Sequence, residues 1–396
     1  MSTTNSNEMR LGQAKVSLWT IAREWTRLGC IGFGGPPAHI ALLRRMCVEE
    51  RKWIGPTEFE DAIASVNLLP GPASTQLAIF CAWKLRRTLG AILGGACFIF
   101  PGFVLIVLLS VVFLAHHPPM WILGTAAGAG AAVPAVALSA ASRFVPASWK
   151  RIGESKKQRT RWVVYGLLGG AGAATIGPYL VLVLLGCGLA EIAIRQGPRL
   201  ASSRPSGVVL GAVASHVVAL GGFGALTWVA FKVGALSYGG GFVIVPLMQH
   251  DAVSTYHWLT GAQFLNAVAL GQVTPGPVVL TVTVVGYAAK GIRGALLGTL
   301  VVFTPSFLFI VFGGPHFDRI RENLTIQSFL TGAGPAVIGA IAGSAIPLGL
   351  EFQLLWQIPV LFAALLWFFA LRRGVVSAML IAGGIGLLLA LSGVAV

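Results

Sequence analysis

The chain is poor in charge, poorer in acids, and almost free of clustered chemistry. Only 13 of its 396 residues are Asp or Glu, and charged residues together make up 10%, where a soluble domain carries about a quarter. That excludes an ordinary water-soluble enzyme. Its five cysteines (Cys30, Cys47, Cys81, Cys97, Cys187) lie in or beside apolar segments. They match neither a metal spacing nor a disulfide framework, so they read as small core residues. The histidines are equally dispersed: His116 and His117 adjoin Pro118-Pro119 in a short external loop, and His216 stands alone in a span. No metal site and no cofactor is indicated. No Gly-x-x-x-x-Gly-Lys-Ser/Thr phosphate loop occurs, which argues against ATP hydrolysis in this chain. Met1–Arg10 is polar with no apolar core, so no cleaved signal peptide is indicated.

What the chain does have is apolar sequence. Hydrophobic residues make up 56%, and the mean hydropathy is +0.81. Charge-free runs such as Thr88–Leu114 and Val375–Val396 are each long enough to cross about 30 Å of hydrocarbon. The fold class is therefore an all-α polytopic membrane protein with the lipid bilayer as its main partner. The net charge of +15 invites a nucleic-acid reading. The basic residues, however, cluster between apolar spans, and a positive-inside bias accounts for them without a polyanion. No nucleic-acid partner is expected.

The chain repeats itself. A shift of 205 positions lays Phe33-Gly34-Gly35 on Tyr238-Gly239-Gly240, Trp53 on Trp258, and Pro70-Gly71-Pro72 on Pro275-Gly276-Pro277. Twelve of the 44 positions from Gly29 to Pro72 are identical in that ungapped register. One residue shorter, the register continues through Gly90 on Gly294, Pro101 on Pro305 and Phe103 on Phe307. The sequence thus divides into an N-terminal membrane repeat, 1–205, and a C-terminal one, 206–396. A basic cytoplasmic loop is expected at Arg143–Arg161, and a linker at Arg195–Pro205. Trp162–Ile194, interrupted by Gly177-Pro178, predicts two short helices.

Charge placement gives orientation. Arg44–Lys52, Lys84–Arg87 and Arg143–Arg161 are basic and read as cytoplasmic, with the N-terminus on the same side. The counterparts Gln249–His257 and Pro347–Glu351 hold no Lys or Arg, whereas the region matching His116–Met120 contains Arg319 and Arg321. That swap is what inverted-topology repeats predict. Lys290 and Arg293 dissent, and a parallel repeat is the alternative.

Each half also breaks its helices, with proline removing backbone donors. Inside a bilayer such breaks survive only when buried in protein or lining a cavity. Their helix N-termini present free amides and a partial positive charge, which suit an anion. The expected substrate-binding residues are Gly34, Gly35, Pro70, Gly71, Pro72, Ser74, Thr75 and Gln76 in the first half. Tyr238, Gly239, Gly240, Gln272, Thr274, Pro275, Gly276 and Pro277 are expected in the second. The competing explanation is that Gly and Pro only allow kinks and close packing, which is common in membrane helices. Arg27 and Lys232 occupy one repeat position and would draw an anion in by Coulomb attraction, or simply snorkel. Glu60 and Asp61 are candidates for proton coupling, against an interfacial cap or an ion pair with Arg51 or Lys52.

At these residues the sequence resembles the chromate ion transporters, long-chain two-repeat type. The match is Gly32-Phe33-Gly34-Gly35-Pro36, Arg44–Trp53 and Leu69-Pro70-Gly71-Pro72, then Ser237-Tyr238-Gly239-Gly240-Gly241 and Thr274-Pro275-Gly276-Pro277. The resemblance implies a secondary transporter of the inner membrane that exports chromate, with sulfate as a competing analogue and chromate resistance as the outcome. Transport of sulfate or another anion, inward with a coupled proton, is the alternative. An intramembrane enzyme is disfavoured for want of a His/carboxylate constellation, and a sensor subunit would not need two matched sets of breaks. The oligomeric state is open, a homodimer included.

Overall fold

A computed structural model describes residues 16–67, 69–115, 117–200, 222–237, 244–314 and 323–394. Among them the chain is helical and has no strand. Helix α1 is Leu18–Ile31, capped by the Ser17 hydroxyl on the Thr20 amide. At 14 residues it spans about 21 Å, short of a full crossing. Gly34 and Gly35, both at positive φ, turn the chain into α2, Pro36–Arg44, which winds on as a π-helical turn, Arg45–Glu50. Helix α3, Pro56–Val66, descends to the Pro70-Gly71-Pro72 break, and α4, Ala73–Phe113, follows. It is not one rod. At Arg86 and Arg87 the backbone leaves helical geometry and the chain folds back. Gly90 then lies on the Ala82 carbonyl and Gly94 on the Ala82 side chain, contacts that glycine permits because no Cβ intervenes.

Next come α5, Met120–Arg151; α6, Lys156–Thr175; and α7, Leu180–Leu200, with a 3-10 turn at Gly177–Tyr179 between the last two. The interruption at Gly177-Pro178 is as expected, but the helices on either side, of 20 and 21 residues, are not short. The basic loop is not: Arg143–Arg151 extends α5 and Lys156–Arg161 opens α6, leaving only 152–155 between helices. Lys and Arg are good helix formers, so charge marks the end of the apolar span without ending the helix. Likewise the first six residues of the expected linker at Arg195–Pro205 complete α7, and its remainder lies outside the described residues.

The second half repeats the plan. Helix α8 is Phe223–Leu236; α9, Ile244–Gln249, again runs into a π-helical turn, His250–Thr255. Helix α10, Gly261–Val273, opens with a Thr260/Gln263 capping box and ends at the second Pro-Gly-Pro break. Helix α11, Thr281–Gly313, reverses at Lys290 and Gly291, and Gly286 packs on the Gly294 carbonyl. Four helices follow: α12, Leu324–Gly343; α13, Ala345–Leu350; α14, Gln357–Phe369; and α15, Val375–Leu391. Five segments among the described residues are long and apolar enough to cross a membrane.

The halves interlock about a pseudo-two-fold axis. Gly71 abuts Ser306, and Gly276 faces Gly102; the repeat register pairs Gly71 with Gly276 and Gly102 with Ser306, so the contacts are reciprocal. Gly95 meets the Phe307 ring, whose equivalent, Phe103, stands eight residues beyond Gly95. Helices crossing in parallel about a two-fold would instead bring Gly95 to its own equivalent, Thr299. The second arms of α4 and α11 therefore cross antiparallel. The terminal helices are exchanged: α14 and α15 pack on α5, while α6 and α7 pack on α12. One hydrophobic core draws on both halves.

Candidate functional site

The breaks are tied together by a buried histidine. His39, on α2, is 1% exposed. Its Nε2 lies 2.8 Å from the Gly32 carbonyl, and its Nδ1 lies 3.1 Å from the Ser74 hydroxyl. A carbonyl only accepts, so Nε2 carries the proton and Ser74 donates to Nδ1. The same Gly32 carbonyl accepts from the Gly276 amide across the repeat boundary, at 2.9 Å. Thus Gly32, Ser74 and Gly276, from three breaks, converge on one point. The repeat positions of His39 and Ser74 are Ile244 and Val279, so this linkage exists once.

Around Gly71 the polar groups are buried and under-satisfied. Gln76 donates from Nε2 to the Pro70 carbonyl at 2.7 Å, while Gln76 Oε1, Thr75 Oγ1 and Ser306 Oγ have no protein partner among the described residues. Leaving such groups dry costs about 1–3 kcal/mol each, so a cluster of them marks a place for water or a polar guest. In the second half Gln272 Nε2 and Ser237 Oγ are in the same condition. Thr274 differs: its hydroxyl returns to the Leu270 carbonyl.

Two cavities open beside the breaks. One, about 170 Å³, is lined by Gly34, Gly35, Gln272 and Val278, with Arg143 and Phe144 of α5. At about 10–15 Å³ of such space per water, it has room for a small polyatomic guest with some of its hydration. The other, about 180 Å³, is lined by Asn67, Gly71 and Ala73, with Phe144 and Arg151 of α5 and Thr331 of α12. Phe144 belongs to both walls. Among the described residues neither arginine is ion-paired, in contrast to Arg44, Arg45, Arg51, Arg161 and Arg195. Their charge is free for an anion.

The amide donors are distributed less evenly than the sequence suggests. Pro36 and Pro37 open α2 and carry no N–H, and the Ala38 and His39 amides return to the Gly35 carbonyl. The Gly276 amide is used on Gly32. At α4 the Thr75 and Gln76 amides return to the Pro72 carbonyl, which leaves Ala73 and Ser74 as the first-turn positions without an intrahelical acceptor. Ala73 lines the second cavity.

Of the expected site residues, Gly34, Gly35 and Gln272 share the first cavity and Gly71 lines the second. Ser74, Thr75 and Gln76 are buried behind them. Pro72 and Pro277 cap the following helices, and the Pro275 carbonyl packs against Gly102. Tyr238, Gly239 and Gly240 lie outside the described residues. The four charged candidates stand elsewhere. Arg27, its side chain 64% exposed, is 3.7 Å from Glu24, and Lys232 is bound to Asp251 at 2.6 Å. Glu60 is exposed and paired with Arg44, and Asp61 is also exposed; none of the four lines either cavity. Arg143, Arg151 and His39 were the residues sequence reasoning passed over. The arginines looked like topology markers, and His39 like one of several isolated histidines.

Interrupted helices facing cavities across a two-fold pseudo-repeat, in a chain of apolar spans, define an integral membrane transporter. Sequence comparison narrows the class: the profile of the family described as "Chromate transporter" matches residues 19–192 and again 224–388. The chain belongs to that family. It is 32% identical over 330 residues to a chromate transport protein of Cupriavidus metallidurans, covering 81% of this chain and 80% of the relative. A chromate transport protein of Pseudomonas aeruginosa is 30% identical over 81% of this chain and 79% of its own. An uncharacterized transporter of Methanocaldococcus jannaschii is 27% identical over 94% of both. No solved structure matches the chain significantly.

Proposed function

We propose that this protein exports chromate across the inner membrane, with its N-terminus in the cytoplasm, and so confers chromate resistance. The observation that carries the reading is the cavity where the Gly34-Gly35 break, the unpartnered Gln272 amide and the unpaired Arg143 meet. Chromate is a tetrahedral dianion bearing only acceptor oxygens, and an amide donor with a guanidinium suits it. Arg143 and Arg151 lie toward the basic end of α5, the side that the positive-inside bias assigns to the cytoplasm. Substrate would therefore be collected from within. The family membership and the names of the relatives support chromate as the substrate.

The test is ion flux in proteoliposomes at a clamped potential, comparing chromate, sulfate and a monoanion. Chromate is expected to move, sulfate to compete with it, and Arg143→Gln to raise the chromate concentration needed for half-maximal rate. If no oxyanion moves and none protects the protein against thermal unfolding, the reading fails.

A further inference from the structure

Helix α5 lines a third cavity toward its N-terminal end. About 480 Å³ in volume, it is lined by Ala127 of α5, by Thr260 at the cap of α10 and Gln263 and Asn266 within that helix, and by Glu351 and Gln357. Helix α10 forms the opposing wall of this cavity and of the Gly34–Arg143 cavity alike, through Asn266 in one and Gln272 in the other. Those residues are six positions apart, about 9 Å along a helix. On α5 the facing positions are Ala127 and Val136, about 14 Å apart. One seam between two helices therefore joins a cavity near each end.

Between the two cavities the helices close on each other, and the tightest approach at a glycine is at Gly130. A Cβ on Gly130 would lie 2.5 Å from the Asn266 side-chain oxygen and 3.3 Å from Leu265. From Gly128 to Ala137, α5 is buried without interruption. Asn266 is 9% exposed and forms no hydrogen bond among the described residues. Its amide lines the outer cavity and rests against the Gly/Ala/Val wall of α5 with no protein hydrogen bond to hold it there. It is well placed to meet a polar guest when the helices part.

We infer that Asn266 against Gly130 is the closed gate of the transport path, separating the inner cavity from an outer vestibule through which the same class of ligand, a hydrated tetrahedral oxyanion, leaves. The identity of the ligand rests on the proposed export function; the gate itself does not. Charge supports the polarity of the path. The inner cavities carry Arg143 and Arg151, whereas the vestibule carries the Glu351 carboxylate, which accepts from Gln249 at 3.0 Å. An anion arriving beside Glu351 is repelled outward and rebinds poorly from outside.

Single cysteines test this, in a background where Cys30 and Cys97 are replaced by Ser and the buried cysteines are kept. Ala127→Cys reports the vestibule and Ala140→Cys the inner cavity. A membrane-impermeant thiol reagent is expected to label the first readily from outside and the second readily only from inside, with a slow residual rate from outside. Adding Asn266→Ala, or the milder Asn266→Ser, is expected to speed external labelling of Ala140→Cys by about tenfold, the population shift that about 1.4 kcal/mol gives. Gly130→Val, which enlarges the plug, is expected to abolish chromate flux while each cysteine still labels from its own side. Unchanged external labelling in both Asn266 variants, or ready labelling of both cysteines from one face in the parent, overturns the gate. Labelling is read without chromate, so a protein that proves not to move chromate still answers the question.

Discussion

Gly71 and Gly276 hold the same place in the two repeats and the same left-handed backbone, at φ 122° and 104°, yet their surroundings differ. A methyl group on Gly71 would lie 2.4 Å from Gln76 Nε2 and 3.2 Å from Ser306 Oγ, whereas on Gly276 the nearest atom is Leu280 Cδ1 at 3.4 Å. Both alanine variants incur the backbone strain of positive φ, about 1–2 kcal/mol. Only Gly71→Ala must also push aside Gln76, which is held to the Pro70 carbonyl and sits among the unpartnered polar groups. Gly71→Ala is therefore expected to slow chromate flux by about tenfold or more, the rate equivalent of about 1.4 kcal/mol, with Gly276→Ala clearly milder. Gly71→Leu should abolish flux with the protein still inserted. Equal effects of the two alanines in a flux assay would mean that the polar cluster plays no part and that the glycines serve packing alone.

The reversals at Arg86-Arg87 and Lys290-Gly291 are the elements that most clearly separate inherited geometry from local chemistry. Gly291 adopts φ 60°, ψ −151° at no steric cost, and Arg87 adopts nearly the same conformation, φ 49°, ψ −140°, as a non-glycine residue. Such backbone strain costs of order 1–3 kcal/mol. Against it, the Arg87 guanidinium lies 4.8 Å from the centre of the Trp83 ring, an interaction of about 0.5–1 kcal/mol at an exposed site. Arg87→Gly is thus expected to raise the midpoint of thermal unfolding in detergent, and Gly291→Ala to lower it; a lower midpoint for Arg87→Gly would place the larger energy in the stacking. The fold was legible in the sequence where breakers recur in register: both Pro-Gly-Pro breaks, the Gly34-Gly35 turn and the interruption at Gly177-Pro178 are where the pattern put them. The paired π-helical turns and the positive φ of Lys52 and His257 left no trace, because nothing in their residue types demands them. The extension of α5 to Arg151 was hidden because a cluster of basic residues reads as a membrane boundary, and a helix need not end where the lipid does. His39 was invisible for a related reason: its role comes from the close approach of Gly32 and Ser74, residues 7 and 35 positions away.

The antiparallel crossing of the two halves bears on how the whole molecule sits in the bilayer. If the repeats are inverted, as the crossing and the swapped charge bias lead us to propose, the matching turns Arg44–Lys52 and Gln249–His257 face opposite compartments. A cysteine in Gln249–His257 is then expected to label from outside and one in Arg44–Lys52 only from inside; labelling of both from one face would establish a parallel repeat. The energetics of transport are set by the membrane potential. With the cytoplasm negative, each charge contributes about 2.3 kcal/mol per 100 mV, so a dianion leaving the cell gains about 4.6 kcal/mol per 100 mV. No coupled ion is needed for export on that drive. The candidate carboxylate agrees: Glu60 is exposed and paired with Arg44, away from both break cavities. The expected outcome in proteoliposomes clamped at 100 mV, negative on the side of the basic loops, is accumulation of chromate on the opposite side by about three orders of magnitude at equilibrium. That ratio should be unchanged by collapsing a pH gradient. A monoanion carried by the same route would reach only about the square root of it. Accumulation that follows the pH gradient and ignores the potential would show electroneutral exchange, and would return Glu60 and Asp61 to the centre of the mechanism.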